Sequence, residues 1–323
     1  MLDELRLEVN KRCNLACDHC YTEKKGRILP IEHFLSLIDQ AKEDLGAKSL
    51  SLTGGEPLLD LSRTLRLIER GASLGLKVRL NTNGWHVDRP MAQRLKNAGL
   101  FEIQISLSHA DPVAFDKFVH RRGSFDRACN AIGASLDKEL FVTTRMTLMH
   151  SNFLHLVPTY ELVCALGAQR FKIRKMVEAN GARDLGKTMP FEQRQSLVEK
   201  LQRKAHREHV PITLADDGEF TFIEDSLFRR LECKCGALAV FVTSDGFVTP
   251  CPFLREDSGF LCGNITSDSI TSIMNQSAIY RGFVGSRQSD KCGNDCNCSC
   301  KASNISKEPA RVDAHTAMLV HVD

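Results

Sequence analysis

Residues 5–23 read LRLEVNKRCNLACDHCYTE, a short run with alternating apolar residues that leads directly to Cys13, Cys17 and Cys20. Apolar residues at every second position over such a length are typical of a β-strand. The stretch therefore predicts a strand whose carboxyl end opens into a loop with three thiols. In open α/β folds, binding and catalytic groups are found at that end of the strands.

The sequence up to about residue 215 alternates between short apolar segments and longer helical patterns. Strands are predicted at 5–9, 49–53, 77–82, 101–107, 142–149 and 170–175. Helices are predicted near 30–45, 60–74, 88–98, 125–138, 152–166 and 187–210. Repeated strand–helix alternation implies a parallel sheet with right-handed crossovers. Six such units predict an α/β fold, a partial (β/α)6 barrel over residues 1–215.

The amino-acid composition indicates what kind of protein this is. The 323 residues are 42% hydrophobic and 26% charged, and the net charge is +3. This balance is ordinary for a globular protein and favours neither a nucleic-acid partner nor a membrane surface. The N-terminus has no signal-peptide pattern, and no apolar stretch reaches the roughly 18 residues of a membrane span. We therefore expect a cytoplasmic location.

The 13 cysteines are unevenly distributed. Three lie in residues 13–20 and eight in residues 233–300, which leaves only Cys129 and Cys164 between the two groups. An odd count without a signal peptide argues against a disulfide framework. Clustered cysteines in a reducing compartment point first to metal or iron–sulfur ligands. The second group predicts a small cysteine-rich domain over residues 216–323.

The spacing of the first three cysteines allows three interpretations. Positions i, i+4 and i+7 share one face of a helix, so the thiols could be a buried stripe. A structural zinc site would need a fourth ligand, for which His19 is the nearby candidate. A [4Fe–4S] cluster held by three thiolates would leave one iron open for an exogenous ligand.

The motif C-x3-C-x2-C after a first strand, with Tyr21 behind the last cysteine, resembles the radical S-adenosylmethionine (SAM) superfamily. The resemblance implies that Cys13, Cys17 and Cys20 hold a [4Fe–4S] cluster and that the methionine moiety of SAM chelates its open iron. It also implies that the reduced cluster cleaves SAM to a 5′-deoxyadenosyl radical, which abstracts a hydrogen atom from the substrate. An external one-electron donor similar to flavodoxin or ferredoxin would then be a partner.

Residues 53–57, TGGEP, follow the second strand and add to the resemblance. In isolation, Gly-Gly is an ordinary turn signal. In the superfamily, a GGEP element contacts the amino group of SAM, and the matching residues here are Gly54, Gly55, Glu56 and Pro57. NTNG at 81–84 also matches a frequent family pattern, although an Asn-Gly turn would look the same.

Three further residues match positions that contact SAM in the family. Ser108, in SLSH, stands where related enzymes often have a carboxylate, and Ser124 lies in HRRGSFDRA. Arg145 lies in the fifth strand, where a family arginine contacts the SAM carboxylate. An unpaired arginine is costly to bury, so we expect an anionic partner for it. The alternatives are a helix N-cap for Ser124 and a structural ion pair for Arg145.

The cysteine-rich C-terminal part resembles the SPASM and Twitch extensions, which carry auxiliary iron–sulfur clusters. Cys235 is followed by Gly246 and Cys251 with the family spacing, and VFVTSDGFVTP predicts a β-hairpin that would bring both cysteines together. The last run, C-x3-C-x-C-x-C, is more compressed than the usual SPASM pattern. We expect at least one auxiliary [4Fe–4S] cluster, held by Cys235, Cys251 and two of Cys292, Cys296, Cys298 and Cys300. A zinc site is the alternative.

The resemblance also bears on the reaction. SPASM and Twitch enzymes mostly modify peptides by crosslinking, epimerisation or oxidation, and fewer act on sugars as epimerases or dehydrogenases. Peptide modification is our expected function, with the sugar reactions or a non-enzymatic zinc or iron–sulfur carrier or sensor as alternatives. Only 12 residues precede Cys13. We therefore expect no N-terminal peptide-recognition domain, which favours a compact substrate.

Several residues outside these motifs are candidates for contact with the substrate. Cys262 is a spare thiol that could return a hydrogen atom to a substrate radical, as could Cys233, although both could instead be buried or be ligands. Glu178 is a candidate base or substrate contact, with plain solvent exposure as the alternative. Asp216, Asp217 and Glu219 could bind a cationic amino-sugar or could form a plain acidic turn.

Overall fold

The computed structural model describes residues 2–177, 184, 189–215, 219–230, 234–236 and 238–288. Its strands are β1 (Glu4–Glu8), β2 (Ser49–Thr53), β3 (Lys77–Thr82), β4 (Glu102–Ser106), β5 (Phe141–Leu148), β6 (Arg170–Lys175), β7 (Ile212–Ala215), β8 (Phe228–Arg230), β9 (Ala239–Val242), β10 (Phe247–Thr249) and β11 (Gly263–Asn264). Its helices are α1 (Ile31–Glu43), α2 (Leu61–Ser73), α3 (Arg89–Asn97), α4 (Pro112–Phe118), α5 (Ser124–Leu136), α6 (Leu156–Ala165), α7 (Phe191–Glu208), α8 (Ile270–Gln276) and α9 (Ala278–Gln288).

All these strands form one sheet in the order β11-β10-β9-β1-β2-β3-β4-β5-β6-β7-β8. Neighbours from β9 through β8 pair in parallel, whereas β9–β10 and β10–β11 are antiparallel. The α/β fold and all six predicted strands are confirmed, each within one residue or so at its ends. The sheet is wider than predicted, because the four-residue β7 and the three-residue β8 are too short to give a clear periodic pattern.

The predicted hairpin is present and joins the main sheet. Strand β9 pairs with β1, with Glu4 opposite Ala239 and Leu7 opposite Val242. Cys235, just before β9, and Cys251, just after β10, are therefore brought next to the first strand. The boundary near residue 216 stays a prediction, and the backbone pairing makes the hairpin continuous with the sheet.

The strands have an apolar face and a polar face. In β1, Leu5 and Leu7 are fully buried against the helices, while Glu4 and Arg6 line a cavity on the opposite side. The same alternation recurs in β6, where Phe171 is buried in the core. Since successive side chains of a strand point to opposite faces, the helices cover the apolar side and leave a polar interior.

Local sequence signals set the helix ends. Asp60, Asp88 and Asp111 cap the N-termini of α2, α3 and α4, each accepting a hydrogen bond from a backbone N–H of the first turn. The seven-residue α4 had no strong periodic signal and was not predicted. Within the described residues, every helix is too short or too polar to cross a lipid bilayer.

Candidate active site

A cavity of about 450 Å³ occupies the polar side of the sheet. It is lined by residues from both cysteine-containing parts of the chain, together with most of the residues predicted to contact SAM: Cys13, Cys17, Cys20, Tyr21, Gly54, Gly55, Ser108, Arg145 and Cys235. The fold thus brings into one space motifs that lie up to 222 residues apart in sequence.

Backbone hydrogen bonds hold the three-cysteine loop in place. On one side, the Gly55 N–H donates to the Asn10 carbonyl at 2.8 Å and the Glu56 N–H donates to the Arg12 carbonyl at 2.7 Å. On the other side, the Ala16 N–H donates to the carbonyl of Val119, just after α4, at 3.1 Å. The loop is not helical, so the buried helical stripe considered for the three cysteines is not what the structure contains.

The two glycines of GGEP are required by this close packing. A Cβ atom on Gly54 would lie 2.4 Å from the Asn10 carbonyl oxygen, and one on Gly55 would lie 2.1 Å from the Arg12 carbonyl oxygen. Real Cβ atoms do not approach backbone oxygens so closely. The glycines therefore let strand β2 approach the backbone of the cysteine loop.

Glu56 organises the strand ends rather than pointing freely into the cavity. It is 1% exposed, and its carboxylate accepts hydrogen bonds from the Thr82 hydroxyl at 2.8 Å, the Asn83 N–H at 2.8 Å and the Leu58 N–H at 3.1 Å. Burial raises the pKa of Glu56 to about 6, against the lowering effect of these hydrogen bonds. The side chain of Asn83 in turn donates to Asn14 in the cysteine loop at 2.8 Å.

The three thiols lie close together and are partly buried. Burial, followed by the neighbouring Cys13 and Cys20, raises the pKa of Cys17 to about 12, and burial also raises the pKa of Cys13. A thiolate here would need a cation, which a metal ligated by the sulfur supplies. In the described part of the chain, no three His, Cys, Asp or Glu side chains are grouped closely enough for a single metal ion. In an iron–sulfur cluster the thiolates bind the irons of one cluster rather than one shared ion.

Arg145 reaches the cavity from β5, and no carboxylate of the described residues pairs with it. Its guanidinium donates to the Asn81 side-chain oxygen at 2.6 Å. Burial, together with the nearby Arg174, lowers its pKa to about 10. Among the described residues no carboxylate lies within ion-pair distance of Arg145, so the expected anionic partner is not a side chain of that part of the protein.

Ser108, Ser124 and Tyr21 differ in their surroundings. Ser108 lines the cavity, and its hydroxyl accepts a hydrogen bond from the Thr147 N–H at 3.3 Å. Ser124 is 3% exposed, is not a lining residue and has no hydrogen-bond partner for its hydroxyl among the described residues. The N-cap of α5 is Gly123, so the capping alternative for Ser124 is wrong. The ring of Tyr21 packs against Phe253, with centroids 4.6 Å apart.

Cys235 and Cys251 are adjacent and buried, as the hairpin predicts. A hydrogen bond between the two thiols, together with burial, raises the pKa of Cys251 well above its ordinary value. Arg6 also donates to the Cys235 sulfur, at 3.3 Å. Both cysteines belong to a small apolar cluster with Val177 and Leu254. The donor set at this point consists of two neighbouring thiols beside the main cavity.

A buried ion pair joins the two cysteine regions and was not found from the sequence. Arg255 donates to the Glu8 carboxylate at 2.8 Å, and these side chains are 2% and 0% exposed. The other Glu8 oxygen accepts hydrogen bonds from the N–H and hydroxyl of Ser244, in the hairpin turn. Arg255 also hydrogen-bonds Thr22 and lies 4.9 Å from the Tyr21 ring centroid. The only sequence signal is a glutamate at a strand position that faces inward.

The remaining candidates are not brought into the cavity or are not described. Cys262 is not a lining residue; its sulfur lies 3.6 Å from the Phe260 carbonyl, and burial raises its pKa to about 11. Glu219 is ion-paired with Arg194 and Lys175. The candidates outside the described residues are Glu178, Asp216, Asp217, Cys233, Cys292, Cys296, Cys298 and Cys300.

Two family profiles match the chain. The radical SAM superfamily profile matches residues 7–163, and the SPASM iron–sulfur cluster-binding domain matches residues 233–301. The first range contains the three-cysteine loop, GGEP and Arg145. The second begins at the hairpin cysteines and includes the last cysteine run.

Curated relatives from several organisms are similar at low identity. The subtilosin biosynthesis protein AlbA of Bacillus subtilis is 26% identical over 85% of this chain, which spans 60% of AlbA. The PqqA peptide cyclase of Rhizobium meliloti is 24% identical over 95% of the chain and 84% of the relative. An AdoMet-dependent heme synthase of Nitratidesulfovibrio vulgaris is 25% identical over 88% of the chain and 82% of the relative.

A solved structure supports the fold. SuiB of Streptococcus suis superimposes with a TM-score of 0.74 at 17% identity, over 96% of this chain and 75% of SuiB. SuiB has also been solved bound to SAM and bound to its precursor peptide SuiA. The chain belongs to the radical SAM superfamily, whose cofactors are a [4Fe–4S] cluster and SAM, and it carries a SPASM iron–sulfur cluster-binding domain.

Proposed function

We propose that this protein is a radical SAM enzyme that modifies a peptide. The observation that carries the proposal is that the three thiols, the GGEP glycines and Arg145 line one cavity, with Cys235 in the same lining. A buried helical stripe of cysteines would not require glycines against the loop backbone. A carrier or sensor would not require an arginine in the same lining that pairs with none of the described carboxylates.

The surroundings of the cysteines, Arg145 and Glu56 indicate a role for each of them in the proposed enzyme. Cys13, Cys17 and Cys20 would hold a [4Fe–4S] cluster, and SAM bound to it would supply the 5′-deoxyadenosyl radical on reduction. Arg145 would meet the carboxylate of SAM, since its positive charge is not paired with any carboxylate of the described residues. Glu56 is buried, and its carboxylate accepts three hydrogen bonds. It would act mainly by fixing GGEP against the cysteine loop and β3.

Cys235 and Cys251 would contribute two ligands to at least one auxiliary [4Fe–4S] cluster, with the remaining ligands from the last cysteine run. Because Arg255 links Glu8, Thr22 and the Tyr21 ring, it would hold the two cysteine regions in a fixed relation. Ser108 is a candidate SAM contact at the cavity wall, whereas Ser124, away from the lining, is a weaker one.

Peptide modification is favoured by the names of the relatives. AlbA takes part in subtilosin biosynthesis, the PqqA cyclase acts on a peptide, and SuiB binds a precursor peptide. The heme synthase relative favours a second candidate function, in which the cavity takes a compact non-peptide substrate. In both, we propose a cytoplasmic enzyme served by a flavodoxin- or ferredoxin-like reductant, without nucleic-acid or membrane partners.

The test is anaerobic reconstitution with iron and sulfide, followed by incubation with SAM and dithionite. The wild-type protein should form 5′-deoxyadenosine, and Cys17→Ala should lose this activity. Cys129→Ala is the matched control, because Cys129 lies in α5, outside the lining of the cavity. A protein that took up iron but left SAM intact would be a carrier or sensor instead.

The peptide candidate needs its own experiment. Precursor-peptide genes next to this gene would be expressed with it. Their products would be examined by mass spectrometry for loss of hydrogen and by chiral amino-acid analysis for a change of configuration. An unmodified peptide, together with a modified small molecule from the same cells, would favour the second candidate.

A further inference from the structure

The cavity wall carries far more positive than negative side chains. Among the described lining residues, nine are Lys or Arg, and the only carboxylates are Glu4 and Glu102. Buried charges are costly unless they are paired, so the pairing of these cations decides what the cavity can accept.

Glu4 and Glu102 are already paired with other arginines of the cavity wall. Glu4 pairs with Arg6 at 2.7 Å, and Glu102 pairs with Arg79 at 3.2 Å and with Arg170 at 3.7 Å. Glu102 also accepts hydrogen bonds from Thr143 and Gln104 at 2.6 and 2.9 Å. Neither carboxylate is free to neutralise a further cation.

Three further lining cations are paired with carboxylates that do not line the cavity. Lys175 pairs with Glu219 at 2.7 Å, and Lys234 pairs with Asp3. Arg255 is neutralised by Glu8. These contacts leave three lining cations, Arg145, Lys172 and Arg174, that have no carboxylate within ion-pair distance among the described residues.

Arg145, Lys172 and Arg174 are neighbours. Arg145 of β5 lies opposite Lys172 of β6 in the parallel register, and Thr147 lies opposite Arg174. Burial, followed by the positive charges of Arg145 and Arg174, lowers the pKa of Lys172 to about 7, while Glu4 opposes this effect. The Arg174 guanidinium lies 5.8 Å from the ring centroid of Phe253, which follows the auxiliary-cluster hairpin.

One SAM carboxylate can neutralise Arg145, but it leaves Lys172 and Arg174. We propose that these two residues hold a carboxylate of the substrate, so that the cavity selects an acidic peptide. The inference rests on the proposed function and adds the class of peptide. The carboxylate would lie between the SAM side of the cavity and Phe253, on the side of the auxiliary cysteines.

The test measures binding rather than turnover. Reconstituted holoenzyme with SAM is immobilised and exposed to a library of N-acetylated, C-amidated hexapeptides, and the retained peptides are identified by mass spectrometry. Peptides with Asp or Glu should be retained about tenfold more than their Asn or Gln counterparts, as expected for charge-assisted hydrogen bonds. A second library with a free C-terminal carboxylate and no Asp or Glu tells a side-chain carboxylate from a terminal one.

Matched variants make the result specific. Lys172→Met and Arg174→Met should each abolish most of the preference for acidic peptides, with iron content and circular dichroism as checks on folding. Lys175→Met is the control, because this lysine is in the same strand and also lines the cavity but is paired with Glu219.

The outcomes separate the inference from the proposed function. No acidic preference in the wild type, an undiminished preference in both Lys172→Met and Arg174→Met, or an equal loss in Lys175→Met would overturn the inference. Failure of the reconstituted wild type to cleave SAM would instead overturn the proposed function. The two failures are distinguishable, because the binding assay requires no turnover.

Discussion

Replacing Gly55 by alanine tests whether GGEP is needed as a support for the cysteine loop. The added Cβ would lie 2.1 Å from the Arg12 carbonyl oxygen, well short of the 3.4 Å at which ordinary contact begins. This oxygen is also the acceptor for the Glu56 N–H at 2.7 Å. The loop must therefore move by more than an ångström, and the hydrogen bond must break or lengthen.

The cost follows from these two effects. Overpacking in a rigid environment costs about 1–3 kcal/mol, and the lost hydrogen bond adds about 1 kcal/mol. We expect Gly55→Ala to lower the free energy of unfolding by about 2–4 kcal/mol. If the loop relaxes instead, the displaced thiols should hold less iron. Either result ties the glycine to the position of Cys13, Cys17 and Cys20.

The assay combines thermal unfolding of the unreconstituted protein with iron content and 5′-deoxyadenosine formation after reconstitution. A control is Gly133→Ala in α5, where an added Cβ meets no atom within 4 Å. Alanine in a helix interior should be neutral or stabilise by up to about 1 kcal/mol. If Gly55→Ala kept the wild-type melting temperature, iron content and SAM cleavage, the close approach of these two backbones would be refuted.

Three other residues give shorter tests. Arg255→Met leaves a buried carboxylate unpaired and should lower the free energy of unfolding in urea by about 3–5 kcal/mol, whereas Asp137→Asn, in an exposed pair, should change it by less than about 1 kcal/mol. Cys251→Ala should lower the iron content by about four atoms per chain, and an unchanged value, matching Cys129→Ala, would exclude Cys251 as a ligand. Because Lys172 loses its proton near pH 7, the preference for acidic peptides should fall as the pH rises from about 6 to 8. A pH profile that Lys172→Met leaves unchanged would contradict this assignment.

The strands and the hairpin could be predicted from the sequence because their signals are local. Six strands were placed to within about a residue, because each is a short apolar run bounded by turn residues. The hairpin that brings Cys235 and Cys251 together was confirmed for the same reason, since a Ser-Asp-Gly turn fixes its strands. The role of the GGEP glycines was less accessible, because their requirement comes from the backbone of residues 10–12, far away in sequence.

Ion pairs between residues far apart in the chain could not be predicted from the sequence. The Glu8–Arg255 ion pair joins residues 247 positions apart, and no periodicity links them. The expectation that Arg145 has an anionic partner followed from the cost of burying a charge. In the structure, none of the described carboxylates is the partner of Arg145.

The polar face of the sheet illustrates how far alternation alone can go. RFKIRK in β6 shows that Lys172 and Arg174 share a face opposite Phe171 and Ile173, and the same pattern places Arg145 inward on β5. The alternation of apolar and polar residues does not show whether the charges on the inward face are paired with each other or are available to bind a ligand. The register between strands shows which side chains are neighbours. The ion pairs of Glu4 and Glu102 show which of the arginines already have a partner. The positive charge of Arg145, Lys172 and Arg174 that the described carboxylates do not balance is therefore a property of the assembled sheet. It is the part of the site on which the proposed preference for acidic peptides depends.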